Sequence, residues 1–116
     1  QQNHVHKEEI SKDVQREGRI TQTIQGLKTF VLIGEAKEGE LLKAKFDLQG
    51  EQINSVDIHW YQRQGDDHWK LVSNRSEENY RISQADRGGS VMAVMVVATS
   101  DGDVKRVSSN VIGPIR

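Results

Sequence analysis

From Thr29 onward, short apolar runs alternate with turn-forming clusters, and this rhythm restricts the fold more than any other feature of the chain. TFVLIG (29–34) reads as a buried or edge strand that ends before Glu38-Gly39. In ELLKAKFDL the apolar set Leu42, Ala44, Phe46 and Leu48 recurs at period two, with Lys43, Lys45 and Asp47 on the opposite face, the mark of a half-buried strand. After Gln49-Gly50-Glu51 comes SVDIHWYQRQ, in which Val56, Ile58 and Trp60 share one face and Asp57, His59 and Tyr61 the other. Gly65-Asp66-Asp67 is a hairpin turn, and WKLVS (69–73) returns from it. Tyr80 and Ile82 begin another short strand, and SVMAVMVVATS is the most apolar run of the chain. Asp101-Gly102 predicts a hairpin into DVKRVSSNVIGPI, with Pro114 where a strand would be ending. About seven strands at roughly ten-residue spacing predict an all-β fold, an antiparallel β-sandwich, with a closed barrel as the structural alternative.

The first part of the chain does not share this rhythm. Residues 1–28 are polar with isolated apolar positions, and Ile10/Val14 and Ile20/Ile24 have helical spacing. The expectation is a short helix over about residues 6–17 followed by a linker, or else a leader without fixed structure. The division is therefore an N-terminal extension (1–28) and a sandwich (29–116), and 116 residues with a hydrophobic fraction of 34% suit one core plus a solvated extension.

The third strand sharpens the sandwich reading. In an immunoglobulin domain a second-strand cysteine is followed by a third-strand tryptophan, and a D-x-G-x-Y-x-C motif carries the partner cysteine. Here Ala44 holds the inward position of the second strand, Trp60 lies at the expected distance, and Asp86-Arg87-Gly88-Gly89-Ser90-Val91-Met92 keeps the Asp and Gly of the motif. Ser90 stands in the tyrosine position and Met92 in the cysteine position, and the chain has no cysteine at all. The expectation is that Trp60 packs on an Ala44/Met92 contact in place of a disulfide, surrounded by Leu42, Phe46, Ile58, Val94 and Val96.

With GEAKEGELLKAKF, HWYQR, ENYRISQADRGG and the late Asp-Gly hairpin, residues 29–115 resemble the cysteine-free immunoglobulin-like repeats of cytoskeletal proteins. Such repeats are found in plant and protist microtubule-associated proteins, and a related domain follows a coiled coil in a plant actin-binding protein. Similar modules recur in bacterial surface proteins. The resemblance implies an immunoglobulin-like β-sandwich that binds protein or acts as a spacer in a larger, cytoskeleton-associated protein of the cytoplasm.

Residue chemistry is sparse. His4 and His6 with Glu8 or Glu9 offer too few fixed ligands for a metal site, and His59 and His68 read as surface histidines. Asp66, Asp67, Asp101 and Asp103 would bind calcium only if their loops met, and turn chemistry explains them more simply. No glycine stretch matches a phosphate-binding loop, and Asn74-Arg75-Ser76 is a short glycosylation sequon. No nucleophile–base pair is visible, so the expectation is a protein that is not an enzyme, with no cofactor and no small-molecule substrate. A net charge of -1 gives no basic excess for nucleic acid or an anionic membrane.

The residues expected to contact a protein partner are Tyr61 and Trp69, as outward-facing aromatics, and Arg63, Lys43 and Lys45, as cations that would meet an acidic filament surface. Trp69 would serve either as such an anchor or as a plug at one end of the core. Partner binding would proceed by surface complementarity or by strand addition at TFVLIG or the last strand. Two rival readings remain: an extracellular or virion adhesion module of a bacterial or phage protein, and an oligomerisation scaffold that self-associates through an N-terminal helix.

Overall fold

The computed structural model describes residues 24, 26–50, 52–65, 67–73 and 77–116. The expected helix over 6–17, the histidines at positions 4 and 6, and the sequon at 74–76 lie outside the described residues. Among the described residues seven strands follow one another: β1 (Leu27–Ile33), β2 (Leu41–Leu48), β3 (Ile53–Gln64), β4 (Lys70–Ser73), β5 (Asn79–Arg81), β6 (Gly89–Thr99) and β7 (Val104–Ser108). They form two antiparallel sheets, ordered β1-β2-β5 and β4-β3-β6-β7. This is an antiparallel β-sandwich of immunoglobulin-like strand order. The fourth strand pairs with β3 instead of lying in the first sheet, where constant-type immunoglobulin domains place it.

Period-two patterning decides which side of each sheet faces the core. On β2, Leu42 and Ala44 are buried and Phe46 and Leu48 half-buried, while Lys43, Lys45 and Asp47 are exposed. On β3, Ile58 and Trp60 face inward, and the register sets Ile58 opposite Met95 and Trp60 opposite Ala93. The inter-sheet core joins these residues to Leu32, Ile82, Val91, Val97 and Ile115. Burial of such side chains contributes about 25 cal/mol per Å2 of apolar area, the main favourable term in folding.

One expectation about the core is overturned. Met92, Val94 and Val96 do not surround Trp60. They lie on the outer face of β6, and Ala93 is the inward residue opposite the indole. The physical reason is that β6 is buried on both faces from Val91 to Val97, so hydrophobicity carries no alternation from which to read its phase. Trp60 instead stacks on Tyr80, with ring centroids 5.4 Å apart and planes 20° apart. Its Nε1–H donates to the Glu77 carbonyl at 2.8 Å.

Tyr80 also replaces the missing tyrosine of the motif. Its hydroxyl donates to Asp86 Oδ2 at 2.8 Å, and the same oxygen accepts from the Ser83 amide at 2.9 Å. Asp86 closes the short 3-10 turn Gln84–Asp86 and is buried. The link between β5 and β6 is thereby pinned from the β5 side. Burial, then the Asp86 hydrogen bond and charge, hold the Tyr80 phenol well above its ordinary value.

The chain enters at one pole and reaches Arg116 at the other. At the first pole Gly26, with φ 91°, accepts at its carbonyl from the Gln49 amide. A Cβ at Gly26 would overlap the Gln49 carbonyl oxygen, so both the conformation and the space require glycine. Beyond β7 the tail runs beside the start of β6, with Ile112 bridged to Val91 and the Ile115 amide bonded to the Gly89 carbonyl. At the second pole the Arg116 amide donates to Ala36 and its carbonyl accepts from the Glu38 amide. The tail thus ties one sheet to the loop of the other, and the sandwich stays two sheets laced along one seam.

Candidate functional site

The five residues expected to contact a partner divide between the two outer faces. Lys43 and Lys45 lie exposed on the outer face of β1-β2-β5. Tyr61, Arg63 and Trp69 belong to the outer side of β4-β3-β6-β7. The two sets are on opposite sides of the sandwich and do not form one surface.

Tyr61 points away from the inter-sheet core, as its place in the alternation predicts, yet it is fully buried. It sits opposite Met92 on β6, and with Trp69, Val94, Val96 and the half-buried Leu71 it forms a second apolar cluster. Trp69 is therefore neither an exposed anchor nor a plug in the end of the main core. Arg63 lies over the Trp69 ring, its guanidinium carbon 4.7 Å from the centroid, in cation–π geometry. These side chains hold the outer sheet together, and Tyr61 and Trp69 are not available as surface anchors. His59, read as a surface histidine, is buried on the same side.

The other outer face has the opposite character. The register sets Val31 opposite Lys45, Ile33 opposite Lys43, Lys43 opposite Asn79 and Leu41 opposite Arg81. Val31 is 37% exposed, Leu41 46% and Ile33 49%. Exposed aliphatics and cations are here direct neighbours. Among the described residues neither Lys43 nor Lys45 has a carboxylate within salt-bridge distance, and the ion pair present, Arg87 with Glu38 at 3.8 Å, lies elsewhere on the surface. Arg81 Nη1 donates to the Gly39 carbonyl at 2.8 Å, which fixes that side chain over the β1–β2 loop.

Strand addition at β1, the other expected mode, meets an obstacle. Asn110 lies against this edge. Its Oδ1 accepts from the Leu32 amide at 2.7 Å and its Nδ2 donates to the Leu32 carbonyl at 3.3 Å. A side-chain amide thus occupies the peptide that an incoming strand would need, a device that blunts an edge. No hydrophobic pattern announces it, because it joins residues 78 apart in the chain.

The aspartate loops do not converge. Gln64, before the β3–β4 hairpin, pairs with Gly89, whereas Ile53 pairs with Thr99, before the β6–β7 hairpin. Asp67 and Asp101 are therefore at opposite poles, and Asp66 lies outside the described residues. At the entry pole a cleft of about 370 Å3 is floored by Ile24, Ile53 and Val97 and rimmed by Thr99, Asp103 and Lys105. The Asp101 carboxylate beside it accepts from the Thr99 hydroxyl and the Asp103 amide, and the Thr99 bond holds its pKa below the usual carboxylate value. That carboxylate is engaged in its own turn.

The fold defines the class, a disulfide-free seven-stranded β-sandwich of immunoglobulin-like order. Comparison of the chain with protein-family models, with curated proteins and with solved structures finds no significant match.

Proposed function

We propose that the chain is a non-enzymatic spacer or protein-interaction module of a larger, cytoskeleton-associated protein that works in the cytoplasm. The observation that carries this reading is the course of the backbone from one pole to the other: Gly26 is tied to Gln49 at the entry, and Arg116 to Ala36 and Glu38 at the opposite end. Domains joined through such poles follow one another in line and leave the exposed outer face of β1-β2-β5 accessible along the array. The resemblance of HWYQR and ENYRISQADRGG to cytoskeletal repeats supplies the setting.

Co-sedimentation of residues 1–116 with actin filaments and with microtubules tests the reading. Saturable pelleting with either filament, weakened by salt, is the expected result, because both filaments present acidic surfaces and such contacts are screened. Absence from both pellets at low salt overturns the cytoskeletal setting.

A further inference from the structure

We propose that the outer face of the β1-β2-β5 sheet is a docking surface for an acidic protein segment that carries aliphatic side chains. The proposal deepens the reading of the chain as a protein-interaction module by naming the surface and the chemistry of the partner.

The apolar part is contiguous. Val31 and Ile33 are successive outward residues of β1, so they stand about 7 Å apart along the strand. Leu41 lies one row beyond the Ile33–Lys43 pair on β2, a diagonal neighbour at about 7–8 Å. Single exposed aliphatics need no explanation, but Val31, Ile33 and Leu41 adjoin one another on one sheet face, an apolar strip that the side chains of a partner can cover.

The charged part selects the partner. The outward positions of this sheet are Thr29, Val31 and Ile33 on β1, Leu41, Lys43, Lys45 and Asp47 on β2, and Asn79 and Arg81 on β5, all of them exposed. Among these strand positions three cations stand against one carboxylate, on a chain whose net charge is -1. Lys43 and Lys45 run down the middle strand beside the aliphatic strip, so a segment lying over Val31 and Ile33 brings its own charges within their reach. A second copy docked face to face would set lysine against lysine, and strand pairing along β1 is obstructed at Leu32 by Asn110. An anionic membrane surface is the remaining alternative, but electrostatic attachment there draws on clusters of about four to eight cations. The face supplies three, which favours a protein segment.

The test uses the whole chain and a fluorescein-labelled peptide of alternating Glu and Leu, its Lys-Leu counterpart, and vesicles containing phosphatidylserine. Anisotropy is expected to show saturable binding of the Glu-Leu peptide alone, weaker in high salt. Lys43→Glu combined with Lys45→Glu should weaken it by about tenfold or more, because two attractive charges become repulsive. Ile33→Ser and, separately, Leu41→Ser should also weaken it, and Lys70→Glu on the other sheet should leave it unchanged. All of these positions except Leu41 and Ile33 are charged surface sites, and the two serine variants check each other if one of them alters the fold. Equal binding by the charge-reversed protein, no saturable binding by the parent chain, or a preference for vesicles over peptide overturns the proposal. If filaments pellet the protein but the peptide fails, the docking face is wrong and the cytoskeletal reading survives; the reverse result discards the filament and keeps the face.

Discussion

The Tyr80 hydroxyl donates to the buried Asp86 carboxylate at 2.8 Å while the Tyr80 ring stacks on Trp60 at 5.4 Å. One residue therefore couples the tryptophan of β3 to the turn that launches β6. Tyr80→Phe keeps the stack and removes the hydrogen bond, which should cost about 1–2 kcal/mol. Asp86→Ala should cost more, about 2–4 kcal/mol, because the Ser83 amide loses its acceptor as well. Urea unfolding of both variants checks this, and equal stability of the Asp86→Ala protein would remove the turn from the account.

The same pair sets an alkaline limit. Burial and Asp86 raise the folded-state pKa of the Tyr80 phenol above its ordinary value near 10. The native state then holds the proton that the unfolded chain releases, so the contribution is complete below about pH 10 and is lost as pH rises above it. In the parent protein stability should fall more steeply above that pH than in Tyr80→Phe. Absorbance titration at the phenolate band should show that the Tyr80 signal, the part lost in Tyr80→Phe, appears only on unfolding.

Met92 points away from the inter-sheet core yet is fully buried with Tyr61 and Trp69. Met92→Ala should therefore destabilise the protein by about 2–4 kcal/mol, as much as Met95→Ala in the main core. A solvent-facing residue would change stability by no more than about 0.5 kcal/mol. Chemical denaturation of the two variants side by side distinguishes these outcomes, and a near-neutral Met92→Ala would dissolve the second cluster.

Asn110 guards the exposed edge of β1. Asn110→Ala frees the Leu32 amide and carbonyl and should cost about 1–2 kcal/mol. Amide exchange at Leu32 should accelerate, and light scattering should show more self-association than in the parent chain. Asn110→Asp keeps the acceptor for the Leu32 amide and loses the donor, so it should fall between the two. Unchanged exchange at Leu32 in the alanine variant would mean that the edge is protected in another way.

The positions of all seven strands were legible because turn residues such as Gly65 and Asp101-Gly102 interrupt runs of β-branched and aromatic residues. Strand β1 begins at Leu27, slightly ahead of the expected boundary at residue 29, and β7 ends at Ser108, well short of the expected end near Pro114, with only the isolated Val91–Ile112 bridge beyond it. The inner faces of β2 and β3 were legible too, since Leu42, Ala44, Ile58 and Trp60 alternate with polar residues. The lysines of β2 followed from the same alternation, and the structure adds Val31, Ile33 and Leu41 beside them.

What the sequence by itself determined is the all-β class, about seven strands and the sidedness of β2 and β3, because those follow from local periodicity and turn chemistry. Tertiary structure decided the rest. The phase of β6 depends on its register with β3, since both of its faces are apolar. The partner of Trp60, the burial of Tyr61 and the Asn110 clasp on Leu32 depend on which distant segments meet. Local patterning carries no information about such long-range pairings when a buried strand is apolar on both sides or when the joining group is a single side-chain amide.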